Sequence, residues 1–305
     1  MIVIQEDPNS LNELAFKAMN TDFFVEISNS TISNWKEHIL GWFEYVDREW
    51  SRFNHDNELA QLNGLKIGQQ ISLSPPLFDV LQKADHYRMT TEGLFSPYLM
   101  NCLNYHGYNQ TFPFVKAEVE SRQDHSMVKG CPFKFDSEQS TVTRIANGQV
   151  ELGGIGKGYA VESAMVWLKK FANAESGIVD GGGDISVWSG GIKEWKIGIS
   201  DPFNPNKELR QISLKNGSIA TSNIIYRSWQ QGEQRKHHIL NGKTGQPVNT
   251  EIIQATVITT NCLDAEVGAK LCFMEKGPKL IKLLEEINPN YKFVLVDRDR
   301  TLIIS

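Results

Sequence analysis

The stretch that decides the fold is ELGGIGKGYA, residues 151–160, which runs into an apolar helical pattern and then into VDGGGDI, residues 179–185. Four glycines ahead of a helix raise two nucleotide-binding folds, and spacing excludes both. A phosphate loop of the form GxxxxGK[ST] needs glycine at 151 and Ser or Thr at 158, where the chain carries Glu151 and Gly158. A dinucleotide fingerprint GxGxxG starting at Gly154 puts its third glycine on Tyr159. Working outward, the flanking segments alternate in the manner of hairpins. Residues 185–188 and 195–199 lie either side of Ser189, Gly190 and Gly191 and predict one hairpin. Residues 293–296 and 302–304 flank DRDR, residues 297–300, and predict a second. Residues 23–27 and 252–260 read as further strands. Helices are predicted over 31–46, after Ser74 with Pro75 and Pro76, over 159–172, after Asp264, and over 278–287. Hairpins interspersed with helices predict an α+β fold, not a doubly wound parallel sheet.

The wider composition narrows the function. A chain of 305 residues, 40% hydrophobic and 22% charged, can bury a sizeable core. Its net charge of −5 argues against general binding to nucleic-acid backbones. No apolar run approaches the ~20 residues of a membrane span. The start, MIVIQEDPNSLNE, lacks the basic-then-apolar pattern of a secretory signal, so the expected location is cytoplasmic. Cys102, Cys131, Cys262 and Cys272 show no CxxC spacing and read as reduced, mostly buried thiols. The polar residues 117–129 read as an exposed excursion.

Four segments carry candidate chemistry, each with a plainer alternative. The glycines of 153–158 let a backbone approach a ligand closely, the following helix N-terminus suits an anion, and Lys157 adds charge; the alternative is a tight turn with no ligand. VDGGGDI is a ligand-facing turn or an ordinary one. In HHILNGKTG, residues 237–245, a strand would send His237 and His238 to opposite faces, so at most one serves a given site, as a general base or as a structural residue. Asp264, in NCLDAEVG, residues 261–268, is a ligand for a hard cation or a helix N-cap.

Taken in order, these segments resemble the FAD:protein FMN transferase family, also called the ApbE or thiamine-biosynthesis lipoprotein family. AMNT at 18–21 resembles its early M-G-T, and DREWSRFNHDNELAQLN at 47–63 resembles its S-x-[FY]-x-x-x-S-E-L-x-x-L-N element. GLFSP at 93–97, ISDP at 199–202 and IATS at 219–222 resemble G-x-F-D-[PI], I-x-D-P and A-T-S-G. The resemblance implies an α+β fold with a duplicated T-fold-like unit, antiparallel sheets and packed helices. Residues 1–305 would form one domain of two intertwined halves with the site between them. It implies Mg²⁺-dependent transfer of FMN from FAD to a threonine hydroxyl of an acceptor flavoprotein, with release of AMP. By matching positions, Met19, Phe53, Glu151, Lys157 and Ile239 would face FAD. The Gly154 carbonyl, the Asp264 carboxylate and position 268 would surround the metal, and His238 would be the general base.

The chain departs from the pattern at several positions. Gly268 stands where the family has a threonine four residues after its aspartate, and Glu266, only two residues on, points elsewhere on a helix. Ser96 replaces the aspartate of G-x-F-D, and Asn20 and Asn223 replace glycines. The alternatives implied are a flavin binder with altered or lost catalysis, or a pyrophosphatase that turns FAD into FMN and AMP.

Overall fold

A computed structural model describes residues 12–117 and 127–305. The described chain opens with the hairpin β1 (Glu13–Ala18) and β2 (Thr21–Ile27). Helices α1 (Trp35–Glu49), α2 (Glu58–Gly64), α3 (Pro75–Thr90), α4 (Met100–Tyr105) and α5 (Gly156–Lys170) follow. Short strands β3 (Gln70–Ser72), β4 (Lys116–Ala117), β5 (Phe133–Asp136) and β6 (Thr141–Arg144) lie among them. β7 (Gly177–Asp180) and β8 (Asp184–Trp188) make a second hairpin, and β9 (Trp195–Asp201) with β10 (Asn204–Leu214) a separate ribbon. β11 (Gly217–Asn223) precedes the small pair β12 (Ser228–Gln231) and β13 (Gln234–His237). The chain then runs through β14 (Ile252–Thr259), α6 (Cys262–Met274), α7 (Gly277–Ile287), β15 (Lys292–Asp297) and β16 (Leu302–Ile304).

The central sheet has the order β1-β2-β7-β8-β11-β14-β15-β16, and every neighbouring pair is antiparallel. The order splits into two fours on one plan: two strands, helices, two strands. That is the expected α+β fold, with the repeat visible in its topology.

The helices form where the sequence spaces its apolar residues for them. In α1, Trp35, Ile39, Phe43 and Val46 are buried at helical intervals. Ser74, Pro75 and Pro76 start α3, which buries Leu77, Val80, Leu81 and Ala84. α5 begins three residues earlier than predicted, inside the glycine segment. α6 is apolar nearly all round, and its residues from Cys262 to Ala269 are all buried, so any charge it carries must find a partner. Its N-cap is Asn261, whose Oδ1 accepts from the Asp264 amide at 3.0 Å; Asp264 itself lies inside the first turn.

The first predicted hairpin is corrected. β8 pairs with β7 and β11, not with β9. β8 is buried on both faces, as an interior strand must be, whereas β9 alternates buried and exposed and pairs with β10. The two strands meet face to face, through Ile185, Val187, Trp195 and Ile197. The second predicted hairpin is β15–β16. Most of residues 117–129 lies outside the described residues. No helix among the described residues is long and apolar enough to cross a membrane.

Candidate active site

A cavity of about 510 Å³ gathers residues far apart in the chain. Met19, Phe53, Glu151, Gly154 and Lys157 line it together with Arg227, His238, Ile239 and Lys270. Of the nine positions singled out in the sequence, seven therefore share one cavity. Asp264 and Gly268 do not line it.

Local chemistry sets each wall residue. Met19 and Asn20 form the tight β1–β2 turn with φ of +49° and +59°, a conformation asparagine tolerates well. The Met19 amide donates to Asp47 Oδ1 at 2.9 Å, which ties the turn to α1. Just beyond α1, the Arg52 guanidinium lies 4.3 Å from the Phe53 ring centre and 4.4 Å from that of Tyr108, making a flat cationic and aromatic wall. Glu151 accepts from the Gly153 amide at 2.8 Å; burial pushes its carboxyl up, and the nearby Arg52 charge opposes that.

The two glycine-rich segments meet here. Lys157, second residue of α5, pairs with the buried Asp184 at the end of the DGGGD turn. Burial works against the Lys157 charge, but the Asp184 and Glu266 carboxylates outweigh it and hold the ammonium protonated. The turn's other carboxylate, Asp180, accepts from the amides of Gly182 and Gly183 at 2.8 and 3.2 Å and so closes the turn itself. Gly158 is where α5 crosses α6. A Cβ there would stand 2.8 Å from Glu266 Oε2 and 3.0 Å from the Cys262 carbonyl, and the Gly158 amide donates to that same Glu266 oxygen at 2.8 Å.

The adjacent histidines divide their roles. His237 is a structural pin: its Nε2 donates to the Val248 carbonyl at 3.0 Å and its Nδ1 accepts from the Ile239 amide at 3.3 Å. His238 lines the cavity. Its Nδ1 donates to the Arg227 carbonyl at 3.3 Å, which leaves Nε2 as the basic nitrogen. Burial and the Arg227 charge push its pKa down to about 3, so the ring is neutral near pH 7.

The residues expected around Mg²⁺ do not fit one. Asp264 Oδ1 accepts from the Tyr87 hydroxyl at 2.6 Å, and Oδ2 accepts from the side-chain amides of Asn288, at 2.8 Å, and Asn261. This carboxylate accepts three hydrogen bonds from protein donors that knit α3, α6 and the end of α7 together. Gly268 faces the core, where a Cβ would lie 3.1 Å from Leu284 and 3.2 Å from Val257. Among the described residues no group of three His, Cys, Asp or Glu side chains is placed to hold a metal ion. Beside Gly154 stands Lys270 instead, with Cε 3.5 Å from where a Gly154 Cβ would be.

The wall carries four cationic side chains (Arg52, Lys157, Arg227, Lys270) and two carboxylates, Asp47 and Glu151, and two of the cations are paired with carboxylates behind the wall, Lys157 with Asp184 and Lys270 with Glu266. With a neutral histidine alongside, the cavity suits an anionic ligand with an aromatic part, and it can accept a proton next to that anion. Arg52, Arg227, Tyr108 and Lys270 are wall residues that motif reading missed. One signal was available for Lys270: it is the lone basic residue in an otherwise apolar or acidic helix.

The model of the ApbE family matches residues 19–295. A FAD:protein FMN transferase of Klebsiella pneumoniae is 24% identical over 260 residues, 82% of this chain and 78% of its own. One from Chlamydia muridarum is 28% identical over 237 residues, 74% and 71% of the two chains. Among solved structures, the ApbE protein from Thermotoga maritima superposes with a TM-score of 0.78 at 23% identity, covering 96% of each chain. The flavin transferase ApbE from Vibrio cholerae gives 0.72 at 19% identity, covering 100% of this chain and 96% of its own.

Proposed function

This chain belongs to the ApbE family, and from that premise we propose that it is a FAD:protein FMN transferase acting on a threonine hydroxyl of an acceptor flavoprotein. The observation that carries the reading is the convergence, in one cavity, of a neutral histidine with its Nε2 available and four cations drawn from both halves. In the step we envisage, the threonine Oγ attacks the phosphorus on the FMN side of the pyrophosphate. Its proton passes to Nε2 of His238, the bond from that phosphorus to the AMP oxygen breaks, and AMP leaves with the bonding pair. Lys157, Lys270 and Arg227 neutralise charge that moves onto the leaving phosphate. Arg52, Phe53 and Tyr108 offer a surface for the flavin ring, with Met19 and Ile239 completing the walls. No divalent cation is assigned to Gly154, Asp264 and Gly268, whose placement does not suit one.

We further take residues 1–305 as one domain of two intertwined halves, since the wall of the cavity needs both. Four cysteines outside any disulfide, three of them buried, suit the reducing cytoplasm in which we place the reaction. The test mixes the protein with FAD and threonine-containing flavoprotein acceptors. The expected result is covalent flavin fluorescence on one acceptor with equimolar AMP. Asp264, engaged by Tyr87, Asn288 and Asn261 and turned away from the cavity, favours one other reading, a protein that holds FAD intact. Bound FAD with neither AMP nor labelled acceptor would establish that reading in place of transfer. Free FMN and AMP without an acceptor would mean that water takes the place of the threonine.

A further inference from the structure

We propose that the Lys270 ammonium takes the place of a divalent cation at the pyrophosphate of FAD, so that this chain binds the dinucleotide without Mg²⁺. The proposal rests on the FAD-binding reading above and is independent of whether FMN is then transferred.

Helix geometry supports it first. Each residue turns an α-helix by about 100°, so a shift of two residues points a side chain to nearly the opposite side. Asp264 and Gly268 face Asn288, Leu284 and the core, and accordingly Glu266 and Lys270 face α5 and the cavity. Of that pair Lys270 lines the cavity and Glu266 stands behind it against α5, so α6 presents an ammonium there and not two oxygen donors for a metal.

Charge and hydrogen bonding point the same way. Lys270 is 13% exposed and its partner Glu266 2%. The ammonium donates to Glu266 Oε1 at 3.1 Å and to the Glu266 carbonyl at 3.2 Å, bonds that occupy two of its three N–H donors. The third serves a phosphate oxygen entering beside Gly154. A divalent cation in the same place would meet a fixed positive charge within a few ångströms, in surroundings where screening is weak. Lys157, on the neighbouring helix start, is likewise held by a buried carboxylate, so both ammonium groups offer N–H donors to a pyrophosphate from ion pairs already in place.

The experiment measures binding of FAD, ADP and riboflavin to the full chain by calorimetry, in EDTA and in millimolar Mg²⁺. Wild type is expected to bind FAD and ADP with the same affinity, within twofold, in both buffers. Lys270→Met is expected to weaken FAD and ADP about 10- to 100-fold. It should leave riboflavin, which has no phosphate, within twofold, and so show that the cavity is still folded. Lys270→Arg is expected to retain FAD binding within a few fold. The proposal is overturned if removing Mg²⁺ weakens wild-type FAD or ADP binding tenfold or more. It is equally overturned if Lys270→Met leaves ADP binding unchanged, or weakens riboflavin as much as FAD. Failure of the transferase reading shows separately, as tight FAD binding with no AMP released.

Discussion

Two adjacent histidines have opposite fates, and the difference is in what each ring nitrogen can reach. His237 spends both nitrogens on backbone groups, whereas His238 spends only Nδ1, on the Arg227 carbonyl. Replacing His238 with Gln is expected to lower the rate of AMP release to acceptor by about 10²- to 10⁴-fold, the usual range for a lost general base. FAD affinity should change little, and the split between the two measurements is the check. The same residue predicts a pH effect on stability. Its folded pKa of about 3 lies below the ~6.5 of an unfolded histidine, so between those values the unfolded chain binds the extra proton. The contribution is complete above about pH 6.5 and is lost as pH falls toward 3. Urea titrations from pH 7 to 4 should therefore show a shallower loss of stability in His238→Gln than in wild type. At this scale much was legible: Met19, Phe53, Glu151, Lys157, His238 and Ile239 sit in short local motifs, and local motifs survive folding as units.

At the scale of elements, α6 is where motif reading and structure part. The carboxylate at 264 matches a pattern, yet its orientation depends on which side of the helix meets α5 and which meets α7. Burial of α6 from all sides removes the amphipathic signal that would have shown the facing. Asp264 consequently holds elements together, Glu266 turns to α5, and Lys270 addresses the cavity. Restoring a hydroxyl at the unmatched position tests this. Gly268→Thr is expected to destabilise the protein by about 1–3 kcal/mol through overpacking against Leu284 and Val257. It should leave Mg²⁺ affinity unchanged. Urea unfolding and a Mg²⁺ titration read the two outcomes, and a gain in Mg²⁺ binding would contradict the facing described here. The β8–β9 misreading has a related cause: a Gly-rich turn between two alternating segments states that the chain reverses, not which strand it pairs with next.

At the scale of the molecule, the cavity wall draws on residues from Met19 to Met274, so its ligand is expected to stabilise the whole. FAD at 100 times its Kd is expected to add about 2.7 kcal/mol to the unfolding free energy. The thermal midpoint should rise by the same amount in EDTA as in Mg²⁺. A rise seen only with Mg²⁺, in a thermal melt followed by tryptophan fluorescence, would refute the metal-free site.

Most of the helices, the α+β class and seven of the wall residues were legible in the sequence alone. Periodicity and turn chemistry are properties of neighbours along the chain, and a short motif carries its own geometry with it. The facing of α6, the partners of β8 and the gathering of Arg52, Arg227 and Lys270 around one cavity were decided by tertiary structure. Each depends on contacts between residues far apart in the chain. For a buried helix, in particular, only its packed neighbours determine which of its charges meets a ligand and which is spent on holding the fold.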